Sequence, residues 1–266
     1  MTAYRVQSWG GALCKGATGP VLSCTLPGVA KANTPEAPYV VANELVCGRL
    51  AMMLGLPVPP GVVVRSPNGG LAYVSVRLGD SWADVTDTPT GLGDDGARSL
   101  AIAAGAVAFD AWVYNPDRHR TNVAHVPGAP GPVIFDHAAA LFGMSAREQL
   151  TERRDQLPTA YDPMTQRFHL RTPETVAALA PWCDLITHVP DDLVAPAVRE
   201  AVEVGALSAE DGNAARAFLL HRKAKLSTLL ASMLTPLRRP RFVQRARPAP
   251  TTSVVTLDNV VRHDNT

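Results

Sequence analysis

Asn115-Pro116-Asp117-Arg118-His119-Arg120-Thr121-Asn122, followed downstream by Val133-Ile134-Phe135-Asp136, is the stretch on which the reading of this 266-residue chain turns. An apolar helix over roughly 97–114 leads into it and halts at Asn115-Pro116, because proline disfavours the α conformation in the residue before it. Asp95 is placed to cap the start of that helix. After the polar loop come short strands at 122–126 and 133–135, joined by the turn Pro127-Gly128-Ala129-Pro130-Gly131-Pro132. Two carboxylates, Asp117 and Asp136, and one carboxamide, Asn122, are thereby delivered to one hairpin mouth. Asp110, alone in the apolar helix, is expected to accept hydrogen bonds from the loop rather than to do chemistry.

Phosphoryl transfer from ATP needs a carboxylate to orient or accept the proton of the attacking hydroxyl, and oxygen ligands to hold magnesium on the phosphates. The protein-kinase loop spaces these as D-x-x-x-x-N with a second metal-binding Asp one hairpin later. Asp117, Asn122 and Asp136 repeat that order and spacing. A D-x-x-x-x-N pair alone is more often a turn with capping side chains than a catalytic pair. The third carboxylate and the sequence upstream favour chemistry.

Upstream, the runs Pro20-Val21-Leu22-Ser23-Cys24-Thr25 and Val29-Ala30-Lys31-Ala32 flank Leu26-Pro27-Gly28, which predicts a hairpin with Lys31 on its second strand. Thr34-Pro35-Glu36 can open a helix that carries Glu44 and ends at Gly55 and Pro57. Strands at 62–65 and 71–78 pair around Ser66-Pro67-Asn68-Gly69-Gly70. Further helices are expected at 172–179, 193–204 and 209–234.

The segment FDAWVYNPDRHRTN with VIFDHA after it resembles the HipA-like kinases, whose loop carries N-x-D-x-H-x-x-N, and DRHxxN also occurs in phosphoinositide lipid kinases. VAKANTPEAPYVVANELVCGRLAMMLGLPVPP looks like that family's lysine-bearing strand, first helix and following strand. The resemblance implies Asp117 as catalytic base, His119 as an assisting residue of the loop, and Asn122 and Asp136 as magnesium ligands. It also implies that Lys31 contacts the ATP phosphates and that Glu44 pairs with Lys31. By itself Lys31 reads as an exposed strand lysine. The fold implied is α+β and two-lobed, protein-kinase-like: a sheet-plus-helix lobe over roughly 1–80, a mainly helical lobe over roughly 81–235 with the catalytic hairpin, and a connection near 76–81.

The expected activity is ATP- and Mg²⁺-dependent transfer of a γ-phosphate to a hydroxyl of a protein Ser/Thr or a small molecule. The alternative is a nucleotide-binding pseudokinase or interaction module without turnover. His137-Ala138 after Asp136 departs from Phe-Gly, and no G-x-G-x-x-G occurs, which disfavours a conventional protein kinase. Gly16-Ala17-Thr18-Gly19 and Leu26-Pro27-Gly28 offer backbone N–H groups for phosphate only weakly. HipA toxins are longer, with an extra amino-terminal subdomain, so their protein target is not carried over.

Composition narrows the remaining classes. With 25 basic and 24 acidic residues there is no global field for nucleic acid or anionic membrane. The tail over 236–266 holds Arg238, Arg239, Arg241, Arg245 and Arg247; it reads as solvated and disordered, with nucleic acid as the minor alternative. Cys14, Cys24, Cys47 and Cys183 form no close pair, and His119, His125 and His137 show no zinc spacing. No secretory pattern opens the sequence and the apolar run at 100–113 is too short to span a bilayer, so a cytoplasmic protein is expected.

Overall fold

The computed structural model describes residues 8–15, 20–66, 68–78, 96–118, 120–124, 126, 132–143, 148–158 and 173–231. Asp95, His119, His125, the glycines at 16 and 19, and the Arg-rich tail lie outside them. Two strands, β1 (Ser8–Lys15) and β2 (Pro20–Thr25), pair antiparallel with each other. A separate antiparallel sheet has β5 (Leu71–Val76) between β3 (Gly28–Ala32) and β4 (Gly61–Arg65).

The expected hairpin through Leu26-Pro27-Gly28 therefore does not form. β2 turns to β1, whereas β3 aligns with β5 in a register that sets Lys31 opposite Tyr73. Pro27 continues that ladder by accepting a hydrogen bond from Arg77 N at 2.8 Å. At Gly28 an added Cβ would lie 2.9 Å from Val74 Cγ1, so the glycine serves close strand approach as well as the bend. A Pro-Gly step permits a reversal; ladder partners decide whether one occurs. The β4–β5 hairpin forms as expected, closed by Ser66 N to Gly70 O at 2.7 Å with Gly69 at φ 82°.

Helix α1 (Val40–Met53) starts later than Thr34-Pro35-Glu36 suggests. Pro38 disfavours helix at Ala37, and 34–37 closes instead as a turn, with Ala37 N donating to Thr34 Oγ1 at 3.1 Å. Asn33 Oδ1 then caps the delayed start by accepting from Val41 N at 2.9 Å. The other end is a Schellman turn: Gly55 at φ 74° donates to Met52 O at 3.0 Å, and Leu56 N donates to Ala51 O at 3.0 Å. Eleven of the fourteen residues of α1 are buried, and its mainly apolar sequence suits that position. The three-stranded sheet packs on one side of it.

Helix α2 (Gly96–Val113) runs through the centre of the molecule, and Trp112 Nε1 donates to Leu219 O at 2.9 Å. It breaks at Tyr114, which takes φ 53°, just ahead of Asn115-Pro116. A short turn at Arg120–Asn122 leads to β6 (Val123–Ala124), paired with β7 (Val133–Ile134). Then follow α3 (Glu148–Arg153), α4 (Pro173–His188), α5 (Asp191–Glu203) and α6 (Ala209–Leu229). The helix expected to stop at Leu179 continues through Pro181: burial of Leu179, Cys183 and Ile186 outweighs the roughly 3 kcal/mol cost of an internal proline. Buried side chains of α1, α2, α4, α5 and α6 form one continuous core. Among the described residues no helix is long and apolar enough to cross a membrane.

Candidate active site

The 115–122 loop is built on a buried ion pair. Asp110, near the end of α2, accepts from Arg118 Nε at 3.0 Å and Nη2 at 3.1 Å, and from Asn115 Nδ2 at 3.1 Å. The remaining arm of Arg118 donates to Asn122 O at 3.0 Å and to Phe135 O. One guanidinium thus ties the helix end, the loop and the end of β7 together. Burial disfavours its charge, but the Asp110 carboxylate more than offsets this and holds the Arg118 pKa above its ordinary value. The expected role of Asp110 as acceptor for the loop is met. Arg118 escaped the sequence reading, although a buried Asp in an apolar helix calls for a cation close by.

Asp117 follows Asn115, whose Oδ1 accepts from Asp117 N at 3.2 Å. It lies exposed, and Asn122 Nδ2 donates to its backbone oxygen at 2.8 Å and reaches Oδ2 at 3.4 Å. Asn122, just before β6, and Asp136, two residues after β7, line one cavity.

On the opposite wall, β3 carries Lys31 and α1 carries Glu44. Lys31 Nζ stands 2.5 Å from Glu44 Oε1 and 2.7 Å from Asp136 Oδ1. Strand, helix and hairpin therefore converge on one ammonium. Glu44 is buried and also accepts from His137 N at 3.1 Å, with His137 Nδ1 3.7 Å from its other oxygen. Burial pushes the Glu44 carboxyl up, but the His137 hydrogen bond and the charges of His137 and Lys31 outweigh that and lower it to about 2. Asp136 adopts φ 62°, a left-handed conformation uncommon outside glycine.

The cavity between these walls has a volume of about 320 Å³. Lys31, Glu44, Asn122 and Asp136 line it together with the apolar Val29, Val58, Val76, Leu78 and Phe135, and Ser75, Arg77 and Thr121 add further polar groups. Such a space suits a flat apolar ring with an anionic group attached. Among the described residues no group of three or more His, Cys, Asp or Glu forms a metal cage. Asp136 and Asn122 instead offer hard oxygen donors in the manner of a site for Mg²⁺ carried on phosphates, which uses one or two carboxylates together with the substrate.

Of the six residues expected at the site, Lys31, Glu44, Asn122 and Asp136 line one cavity, Asp117 does not line it but is hydrogen-bonded to Asn122, and His119 is outside the described residues. Asn43 and His137 were not anticipated as site residues. Both are buried beside Glu44 and Asp136, which sequence spacing alone does not reveal.

No protein-family model and no curated protein matches the chain. Among solved structures, the Helicobacter pylori proinflammatory kinase CtkA matches with a TM-score of 0.51 at 12% identity, covering 78% of this chain and 90% of that one. A chain from the Shewanella oneidensis MR-1 toxin–antitoxin complex of HipA, HipB and operator DNA matches with a TM-score of 0.41 at 15% identity, covering 82% of this chain and 62% of that one. At 12% identity the likeness to CtkA is one of fold, and it gives this chain a kinase-like fold, the kind that the resemblance of the 115–122 loop to HipA-like kinases leads one to expect.

Proposed function

We propose that this protein is an ATP- and Mg²⁺-dependent phosphotransferase of the HipA-like type, with a hydroxyl of a protein Ser/Thr or a small molecule as acceptor. The single observation that carries the reading is the position of Lys31, within 2.7 Å of both Glu44 and Asp136 on the wall of a cavity that Asn122 also lines. In this reading the base of ATP lies against Val29, Val76 and Phe135, with the phosphates toward Lys31. The reading takes a boundary near residue 80, with β3, α1, β4 and β5 on the side that covers the nucleotide and α2 and the hairpin on the other.

Asn122 and Asp136 would hold Mg²⁺, which when bound neutralises phosphate charge. Lys31, kept in place by Glu44, adds its own positive charge next to the phosphates. Asp117, exposed and bonded to Asn122, orients the acceptor hydroxyl and takes its proton as the oxygen attacks the γ-phosphorus; the bond to the β-phosphate oxygen breaks and ADP leaves. Free cysteines at 24, 47 and 183 suit a reducing, cytoplasmic setting.

The alternative, a nucleotide-binding module without turnover, would use the same Lys31, Asn122 and Asp136 pocket and differ only in transferring no phosphate. Magnesium-dependent γ-phosphate transfer by the wild type and by Asp117→Ala, with ATP binding followed in parallel, separates the two. Transfer lost in Asp117→Ala with binding retained supports the enzyme. Binding without transfer in either protein supports the module, and equal transfer by both defeats Asp117 as base.

A further inference from the structure

Asp136 is held in a left-handed backbone conformation, and such a residue persists only where its surroundings over-determine it. The chain beyond it folds into successive tight turns: Ala140 N donates to His137 O at 3.0 Å and Gly143 N to Ala140 O at 2.8 Å, with Leu141 at φ 45°. Such a segment leaves carbonyl groups that must find donors elsewhere. Two of them, Ala138 O and Gly143 O, meet the same side chain: Asn43 Nδ2 donates to both, at 2.7 and 3.2 Å.

Asn43 is fully buried in the first turn of α1, next to Glu44, which accepts from His137 N at 3.1 Å. Adjacent residues of one rigid helix therefore grip the first residue after Asp136, the second, and the far end of the turn. Tyr39, just before the helix, stacks on Phe142 with ring centroids 4.4 Å apart. Asn43 Oδ1, by contrast, is buried with no partner. An unsatisfied acceptor at such a place is costly, and a carboxamide is the short side chain that supplies two N–H donors from one nitrogen. The orphaned oxygen accompanies that double donation.

We propose that Asn43 is a positioning residue: its carboxamide ties both ends of the 138–143 turn to α1 and so presets the backbone of Asp136 before any ligand arrives. The inference rests on the reading of Asp136 as a magnesium ligand, and deepens it by assigning the group that aims that ligand. Supporting residues behind a metal ligand typically change metal affinity by about 10–100-fold when removed.

Two measurements test it. Hydrogen exchange on the wild type, with and without Mg²⁺ and ATP, should find the amides of Ala140, Leu141 and Gly143 already protected in the free protein and little changed by ligand. Rapid exchange in the free protein that slows only on binding overturns the presetting. Separately, the Mg²⁺ concentration that half-saturates ATP binding should rise about tenfold or more in Asn43→Ala. Arg49→Met serves as the control: it breaks the Arg49–Glu200 link between α1 and α5, well away from Asp136 in the bonding network, and should lower thermal stability without moving that concentration. An unchanged requirement in folded Asn43→Ala overturns the assignment. Should Asn43→Ala not fold, Asn43→Leu, of similar size and without either donor, takes its place in the same titration and is read against the same expected rise. A wild type that binds no Mg²⁺ and ATP yet shows the protected amides would defeat the metal reading while leaving the clamp in place.

Discussion

Arg118 and Asp110 face each other as a fork on a carboxylate, two parallel hydrogen bonds of 3.0 and 3.1 Å with both side chains almost wholly buried. Desolvating two charges is expensive, so the pair is no simple source of stability; breaking it by removing one member is what costs, about 3–5 kcal/mol. Arg118→Met should therefore lose about that much in urea denaturation, since it strands Asp110 and the carbonyls of Asn122 and Phe135 as well. The double variant Asp110→Leu/Arg118→Met should be milder than the sum of the two single changes. Strict additivity would show that the two charges do not act as a pair.

Glu44 predicts an acid limb in the stability curve. Its folded-state pKa is lowered to about 2, below the ordinary carboxylate value of the unfolded chain, so its contribution is fully present above about pH 5 and is lost as pH falls toward 2. The amount is of order 3 kcal/mol. Chemical denaturation between pH 6 and 2 should show a steeper decline for the wild type than for Glu44→Gln. Parallel declines would mean that Glu44 titrates as an ordinary carboxyl.

Gly48 and Tyr73 make a third, sharper case. Gly48 lies within α1, where alanine should gain about 1 kcal/mol by helix propensity. Yet a Cβ there would stand 2.9 Å from the Tyr73 hydroxyl, with the ring carbon bearing it 3.9 Å away. Gly48→Ala should consequently destabilise the wild type by about 1–3 kcal/mol through overpacking, and become neutral or favourable in a Tyr73→Phe background. A double-mutant cycle in thermal or urea denaturation reads this coupling. The same penalty in both backgrounds would place the conflict elsewhere.

Much of this arrangement is legible from the chain because its signals are local. The spacing of Asp117, Asn122 and Asp136 around a predicted hairpin, and the halt at Asn115-Pro116, each rest on a few neighbouring residues. The β4–β5 hairpin follows from its turn residues in the same way. What fails is partner choice over distance: Leu26-Pro27-Gly28 looks like a reversal, but β3 finds its ladder on β5, far downstream. Likewise Pro181 looks like a helix end until the burial of the turns on either side of it is known. Asn43, Arg118 and His137 remain hidden for a related reason. Their importance lies in which carbonyl or carboxylate they meet across the fold, and nothing in their own neighbourhoods encodes that.

The central claim is that Lys31, Asn122 and Asp136 bound a pocket for ATP carrying Mg²⁺, and direct calorimetric titration with ATP in the presence and absence of Mg²⁺ tests it. The wild type should bind ATP more tightly with the metal than without it. Asp136→Asn should lose most of that difference, and Lys31→Met should weaken binding in both conditions by about tenfold or more, the loss of one charge-assisted contact. No binding of ATP by the folded wild type, or the same magnesium enhancement in Asp136→Asn, would contradict the account.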